Sequence, residues 1–213
     1  QHMQEDEYGL HTIISVYYDT EDYEMIRHSI NKPVFKEKFR LRSYGIPEQD
    51  TKVFMEIKKK VKGIVYKRRI TLAYHQATQV FEQQATTLSF ATLKERQIKQ
   101  EIDWLVVGKK LEPKVMIAYD RRAFLDPTDE DFRITFDFNI RYRDTDLDIS
   151  KGDYGERVAP EIDVLMEVKA LGAYPLWFSE LLAEGKIYPA SFSKYAQTYQ
   201  RHLYTKEEFS HVV

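Results

Sequence analysis

Residues 35–42 read FKEKFRLR, and a strand sorts that run into two unlike faces, because successive side chains point to opposite sides. Lys36, Lys38, Arg40 and Arg42 share one face, while Phe35, Phe39 and Leu41 share the other. The next stretch repeats the pattern, with Phe54, Glu56, Lys58 and Lys60 against Val53, Met55 and Ile57. Lys67 and Arg69 then stand opposite Tyr66, Ile70 and Leu72, with Arg68 out of pattern. Further on, Arg121 follows Tyr119 in parity, and Arg133 shares a face with Thr135 and Asp137. Glu161, Asp163, Glu167 and Lys169 oppose Ile162, Val164, Met166 and Val168. A sheet with one wet face would also alternate. Such a face normally mixes its signs, however, since like charges across neighbouring strands repel. Clustered cations call for an anion among them, and their apolar reverse faces call for helices. A closed antiparallel β-barrel with a cationic lumen and helices packed outside satisfies both demands.

β-rich runs at 11–19, 34–44, 52–61, 64–72, 113–124, 131–143 and 161–170 supply the strands. Helical periodicity falls at 22–30, 75–84, 89–107, 175–185 and 193–204. Strands with helices inserted between them give an α+β class, and the absence of repeats or Pro/Gly-rich linkers argues for one domain over residues 1–213. Lysine plus arginine number 32 against 34 aspartate plus glutamate, for a net charge of -2. No global basic field recruits nucleic acid, and any affinity for anions has to be built locally. With no cysteine, disulfides, thiolate metal sites and cysteine nucleophiles are excluded. No run approaches the roughly 18 apolar residues of a membrane span, so a soluble, cytoplasmic chain is expected. The chain opens at Gln1 rather than methionine, which leaves room for residues upstream.

The segments SVYYDT (15–20), KFRLRSY (38–44), VFMEIKKK (53–60), YKRRI (66–70), AYDRRAF (118–124), RITFD (133–137), LMEVKA (165–170) and FSKY (192–195) occur in an order and spacing that resembles the VTC (vacuolar transporter chaperone) domain, a branch of the triphosphate tunnel metalloenzymes. The resemblance runs from about residue 11 to about 204. It implies a tunnel of eight antiparallel strands that binds triphosphate or polyphosphate. It also implies a divalent metal, and transfer of the terminal phosphoryl group of ATP to a growing polyphosphate chain. The family's phosphate-contacting positions correspond to Arg40, Arg42, Lys58, Lys67, Arg121, Arg133 and Lys194, and its metal-binding glutamate to Glu167. One departure stands out: the family's first charged strand and following helix have no counterpart here.

Phosphoryl transfer needs positioning and charge neutralisation more than covalent help. Arg40, Arg42, Arg121 and Arg133 are expected to orient the triphosphate through fixed bidentate donors. Lys38, Lys58, Lys67, Arg69 and Lys169 are expected to screen it. Ser193 is expected to cap the last helix beside Lys194. Glu167 suits Mg2+ or Mn2+, and Glu56 is either a second ligand or an ion-pair partner. Lys59 and Arg122 read as surface charges, the six scattered histidines are assigned no catalytic or metal role, and Asp144, Asp146 and Asp148 read as a solvated turn. Three functions stay open: a metal-dependent polyphosphate polymerase using nucleoside triphosphate, a triphosphate hydrolase, and a non-catalytic polyphosphate-binding module.

Overall fold

In the computed structural model, which describes residues 2–82, 90 and 92–204, nine strands form one sheet. They are β1 (Gln4–Glu5), β2 (His11–Asp19), β3 (Phe35–Tyr44), β4 (Lys52–Val61), β5 (Ile64–Ala73), β6 (Glu112–Leu125), β7 (Arg133–Arg143), β8 (Glu156–Arg157) and β9 (Val164–Lys169). The order is β5-β4-β3-β2-β6-β7, all neighbours antiparallel. The two-residue β1 pairs with β6, and β8 and β9 both pair with β7. The seven expected strands all occur, each within three residues of its expected ends. The β4–β5 hairpin closes through Lys62-Gly63, with φ of 47° and 88°. That is the doubly left-handed turn whose twist matches two antiparallel strands.

The expected closed barrel is not formed. Among the described residues β5 and β9 are never paired with each other. The sheet instead curls until these edge strands border one cavity of about 820 Å3, lined by Val65 and Lys67 from one side and Val168 and Lys169 from the other. A parity pattern reports which way each side chain points and carries no information about which edges meet.

Among the described residues there are five α-helices: α1 (Glu24–Ile30), α2 (Tyr74–Glu82), α3 (Leu93–Asp103), α4 (Leu176–Glu184) and α5 (Lys194–Thr198). The expected helix ends at 83–84, and the start at 89 and 91, lie outside the described residues. Three helices sit on the outer face, as the apolar parity demanded. Ala77 and Val80 of α2 and Ile98 and Ile102 of α3 join Phe39, Leu41, Met55, Ile57 and Ile70 in one core. Phe178 of α4 packs with Phe132 and Ile134. Helix α3 starts at a capping box, Thr92 with Glu95, a signal for the N-terminus of a helix.

The outer face also holds the charges that broke the pattern. Glu101 of α3 pairs with both Lys59 and Arg68, and Glu37 pairs with Lys59 (3.7 Å) and Lys109 (3.5 Å). Lys59 is thus no surface charge but a half-buried link between β4 and α3. Arg122 is exposed beside Glu5.

The helical jacket is not wholly external. Ile26 of α1 and Tyr195 of α5 pack on Ile13, Tyr17, Ile117 and Tyr119. Tyr17 is the register partner of Arg40, so these two helices cover part of the cationic face. Asp19 fastens them. Its carboxylate accepts from the backbone N–H of Met25 (2.8 Å) and Ile26 (3.0 Å) at the start of α1, and from the Tyr195 hydroxyl (2.9 Å). These bonds satisfy N-terminal helix donors that would otherwise lack partners, because Tyr23 at the cap position contributes no side-chain cap.

Candidate functional site

Strand register carries the sequence parity into three dimensions. Lys38, Lys58 and Lys67 are successive cross-strand partners on β3, β4 and β5. One pair further along, Arg40, Glu56 and Arg69 form a second row, and beyond it Arg42 faces Phe54. On the other wall Arg121 faces Asp137, Thr135 faces Glu167, and Arg133 faces Lys169. The two walls approach each other: Lys67 repels Lys169, and Glu167 attracts Lys58. The expected site residues therefore share one concave surface.

Some of these cations already hold an internal anion. Arg40 donates from Nε to Glu56 Oε2 (2.8 Å) and from Nη1 to the Tyr17 hydroxyl (3.1 Å), and Arg42 donates from Nη2 to Glu56 Oε1 (2.6 Å). Asp137 receives Arg121 through both oxygens (2.6 and 2.8 Å) and Lys194 Nζ (2.6 Å). The fork of arginine matches a carboxylate in this bidentate way, and matches a phosphate equally well. Burial pushes the Asp137 carboxyl up, but Arg121 and Lys194 hold it below the usual carboxylate range. Sequence reasoning placed Asp137 on this face without assigning it a role. Its pairing with Arg121 is invisible in sequence, because a bulge near Ala118 and Asp120 shifts the β6–β7 register.

Other cations have no such compensation. The Lys38 ammonium donates to Ser193 Oγ (2.8 Å), a neutral acceptor. Burial, reinforced by Lys58, Lys36 and Arg40, pushes its pKa down to about 8. Burial and Lys67 lower Lys58 in the same direction, and burial lowers Lys169 despite Glu167. Among the described residues Lys38, Lys58, Lys67 and Arg69 have no ion pair with a carboxylate. Arg133 reaches Asp6 only at 3.7 Å, and its Nε is buried without a partner, as are Arg42 Nε, Ser15 Oγ and Thr135 Oγ1. Buried donors with nothing to bind cost free energy. Ser193 caps α5 by accepting from Ala196 N–H (3.4 Å), which sets Lys194 at the edge of the cationic surface.

The fit to a metal ion is narrower. Glu56 is occupied by two arginines, and Asp137 by an arginine and a lysine. Glu167 is half exposed and only 3.5 Å from Lys169 Nζ. Although burial pushes its carboxyl up, Lys169, Arg121 and Lys194 keep it ionised at lower pH than usual. No group of three His, Cys, Asp or Glu among the described residues could hold a metal. A half-exposed carboxylate such as Glu167 suits a magnesium or manganese ion that keeps its waters and takes its remaining ligands from phosphate. It does not suit an all-protein cage.

The VTC domain family model matches residues 1–203. No curated protein matches the chain. Among solved structures, a crystal structure from Bacillus halodurans, provisionally named an adenylate cyclase, aligns with a TM-score of 0.54 at 14% identity, covering 92% of this chain and 84% of that one. That likeness is one of fold. With the family model matching nearly the whole length, the chain belongs to the VTC domain family.

Proposed function

We propose that the chain is a metal-dependent polyphosphate polymerase, which transfers the terminal phosphoryl group of a nucleoside triphosphate to a polyphosphate end. The observation that carries this reading is the Lys38, Lys58 and Lys67 row. Three cations directly across adjacent strands, with no carboxylate pair among the described residues, repel one another unless a polyanion lies along them. Lys169 and Arg133 face that row across the cavity and extend the same track.

In this reading Arg121, Arg133 and Lys194 grip the reacting phosphoryl group, and Arg40 and Arg42 hold the rest of the triphosphate. A bond forms from a chain-end oxygen to the terminal phosphorus while the bridging oxygen bond breaks, releasing nucleoside diphosphate. The side chains stabilise charge spread over the phosphate oxygens and supply no covalent intermediate. Glu167 would hold Mg2+ or Mn2+, which when bound neutralises phosphate charge as a Lewis acid. Closure of the gap between β5 and β9 by a further strand would complete a tunnel around the chain.

Incubating the protein with ATP and Mn2+ or Mg2+ and resolving products on a gel tests the reading. Ladders of long polyphosphate are expected. Release of phosphate or triphosphate alone would assign a hydrolase, and tight binding without turnover a binding module.

Affinity for tripolyphosphate should also depend on pH with a definite sign. The Lys38 pKa is lower in the folded chain than in the unfolded one, so the ligand-free protein gains stability as pH rises from about 8 towards 10.5. An anion restores the charged form and is bound with proton uptake, so binding weakens over that window. Calorimetric titration at pH 7 and pH 9 should show a drop of roughly tenfold, reduced in Lys38→Met. A flat profile in the wild-type protein would remove Lys38 from the track.

A further inference from the structure

The tip of the β4–β5 hairpin, with the loop leading into β3, exposes a group of apolar side chains. Val34, Phe35, Ile64 and Tyr66 are 67%, 42%, 60% and 50% exposed. They are contiguous: Phe35 pairs with Val61, Val61 with Ile64, and the Lys62 amide donates to the Val34 carbonyl (2.9 Å). Scattered exposed apolar residues are ordinary, whereas a cluster of them marks a contact surface.

The charges around the cluster identify the partner. Lys32, Lys60 and Lys62 lie around it, and the segments 31–36 and 58–67 contain lysines but no acidic residue. Among the described residues these three lysines have no carboxylate ion pair. Two of the three, Lys32 and Lys62, sit in left-handed turn positions with φ of 52° and 47°, where Asn or Gly would be the usual choice. Four side chains at a hairpin tip offer far less than the roughly 800 Å2 per partner of a stable protein interface. An apolar tip flanked by lysines suits an anionic lipid surface, where rings and aliphatic chains enter the headgroup boundary and ammonium groups meet lipid phosphate.

We infer that this hairpin tip is a peripheral docking element for anionic bilayers. It lies beyond the phosphate track, since the Lys36–Lys60 pair at its base is one step past the Lys38, Lys58 and Lys67 row. Docking there would turn one mouth of the cationic cavity towards the membrane. The inference is independent of whether the cavity catalyses anything.

Co-sedimentation with vesicles tests it. The protein should pellet with phosphatidylcholine vesicles containing 30% phosphatidylserine, and not with pure phosphatidylcholine. Raising salt from 0.1 to 0.5 M should weaken binding at least tenfold, as expected for exposed charges. Lys32→Asn with Lys62→Asn, which keeps the turn conformations, and separately Ile64→Ser with Tyr66→Ser, should each reduce binding at least fivefold with an unchanged melting temperature. Excess tripolyphosphate should leave vesicle binding intact. Equal binding by the wild type and both variants would overturn the inference, as would competition by tripolyphosphate, which would place the lipid in the cavity. Concentration-dependent dimerisation abolished by Ile64→Ser would overturn it too, by assigning the patch to a second copy of the chain.

Discussion

Asp137→Ala is expected to destabilise the ligand-free protein by about 3–5 kcal/mol, the cost of leaving buried charges without their partner. Asp137 is fully buried, and the side chains it holds, Arg121 and Lys194, are only 12% and 14% exposed. They come from β6 and α5, so one carboxylate ties the C-terminal helix to the sheet and sets two cations at the cavity wall. Once it is removed, two cations face each other with little water to screen them. A polyanion in the cavity should replace the missing charge. The variant should therefore gain more stability from tripolyphosphate than the wild type does. Urea denaturation with and without tripolyphosphate measures both effects. A loss below about 1 kcal/mol, the range of an exposed pair, would show that Asp137 does not organise the wall.

Glu167→Gln is expected to act on turnover rather than on stability. Its side chain is half exposed, and its ion pair with Lys169 is at 3.5 Å, so the fold should lose less than about 0.5 kcal/mol, as for ordinary surface changes. If Glu167 holds the metal, turnover should fall at least about 100-fold, the scale seen when one charge-stabilising group is lost from a transition state. Metal-free tripolyphosphate affinity should change by only a few fold, and rise if anything, because a negative charge has left a cationic wall. Steady-state rates against Mn2+ concentration, beside metal-free titrations, separate these outcomes. Full activity in Glu167→Gln would remove it from the site.

The charged faces of β3, β4 and β5 were legible because period-two alternation is a local property, fixed by backbone geometry alone. Arg68 looked like an error in that pattern and Lys59 like a surface charge. Both are explained by Glu101, which lies more than thirty residues away in sequence and reaches them only through the packing of α3. The charged run at 161–169 fared less well. Glu161 and Asp163 precede β9 instead of lining it, and they pair with Arg201 and Arg157. Helix ends at Trp104–Gly108 and Tyr199–Leu203 are π-helical, so a 3.6-residue period located these segments but not their geometry. Placement of α5 over the cationic face depends on Asp19 and Tyr195, 176 residues apart, a contact that periodicity cannot register. The pairing of Glu56 with Arg40 and Arg42 follows from strand register, and the sequence offered only the alternative of ion pair or metal ligand.

Crystallography of the protein with bound tripolyphosphate tests the central claim most directly. Elongated density is expected along Lys38, Lys58 and Lys67, with its far end within hydrogen-bonding distance of Arg121 or Arg133. Phosphate bound only on the outer face, with those guanidinium and ammonium groups still turned to Asp137, Glu56 or solvent, would contradict the account.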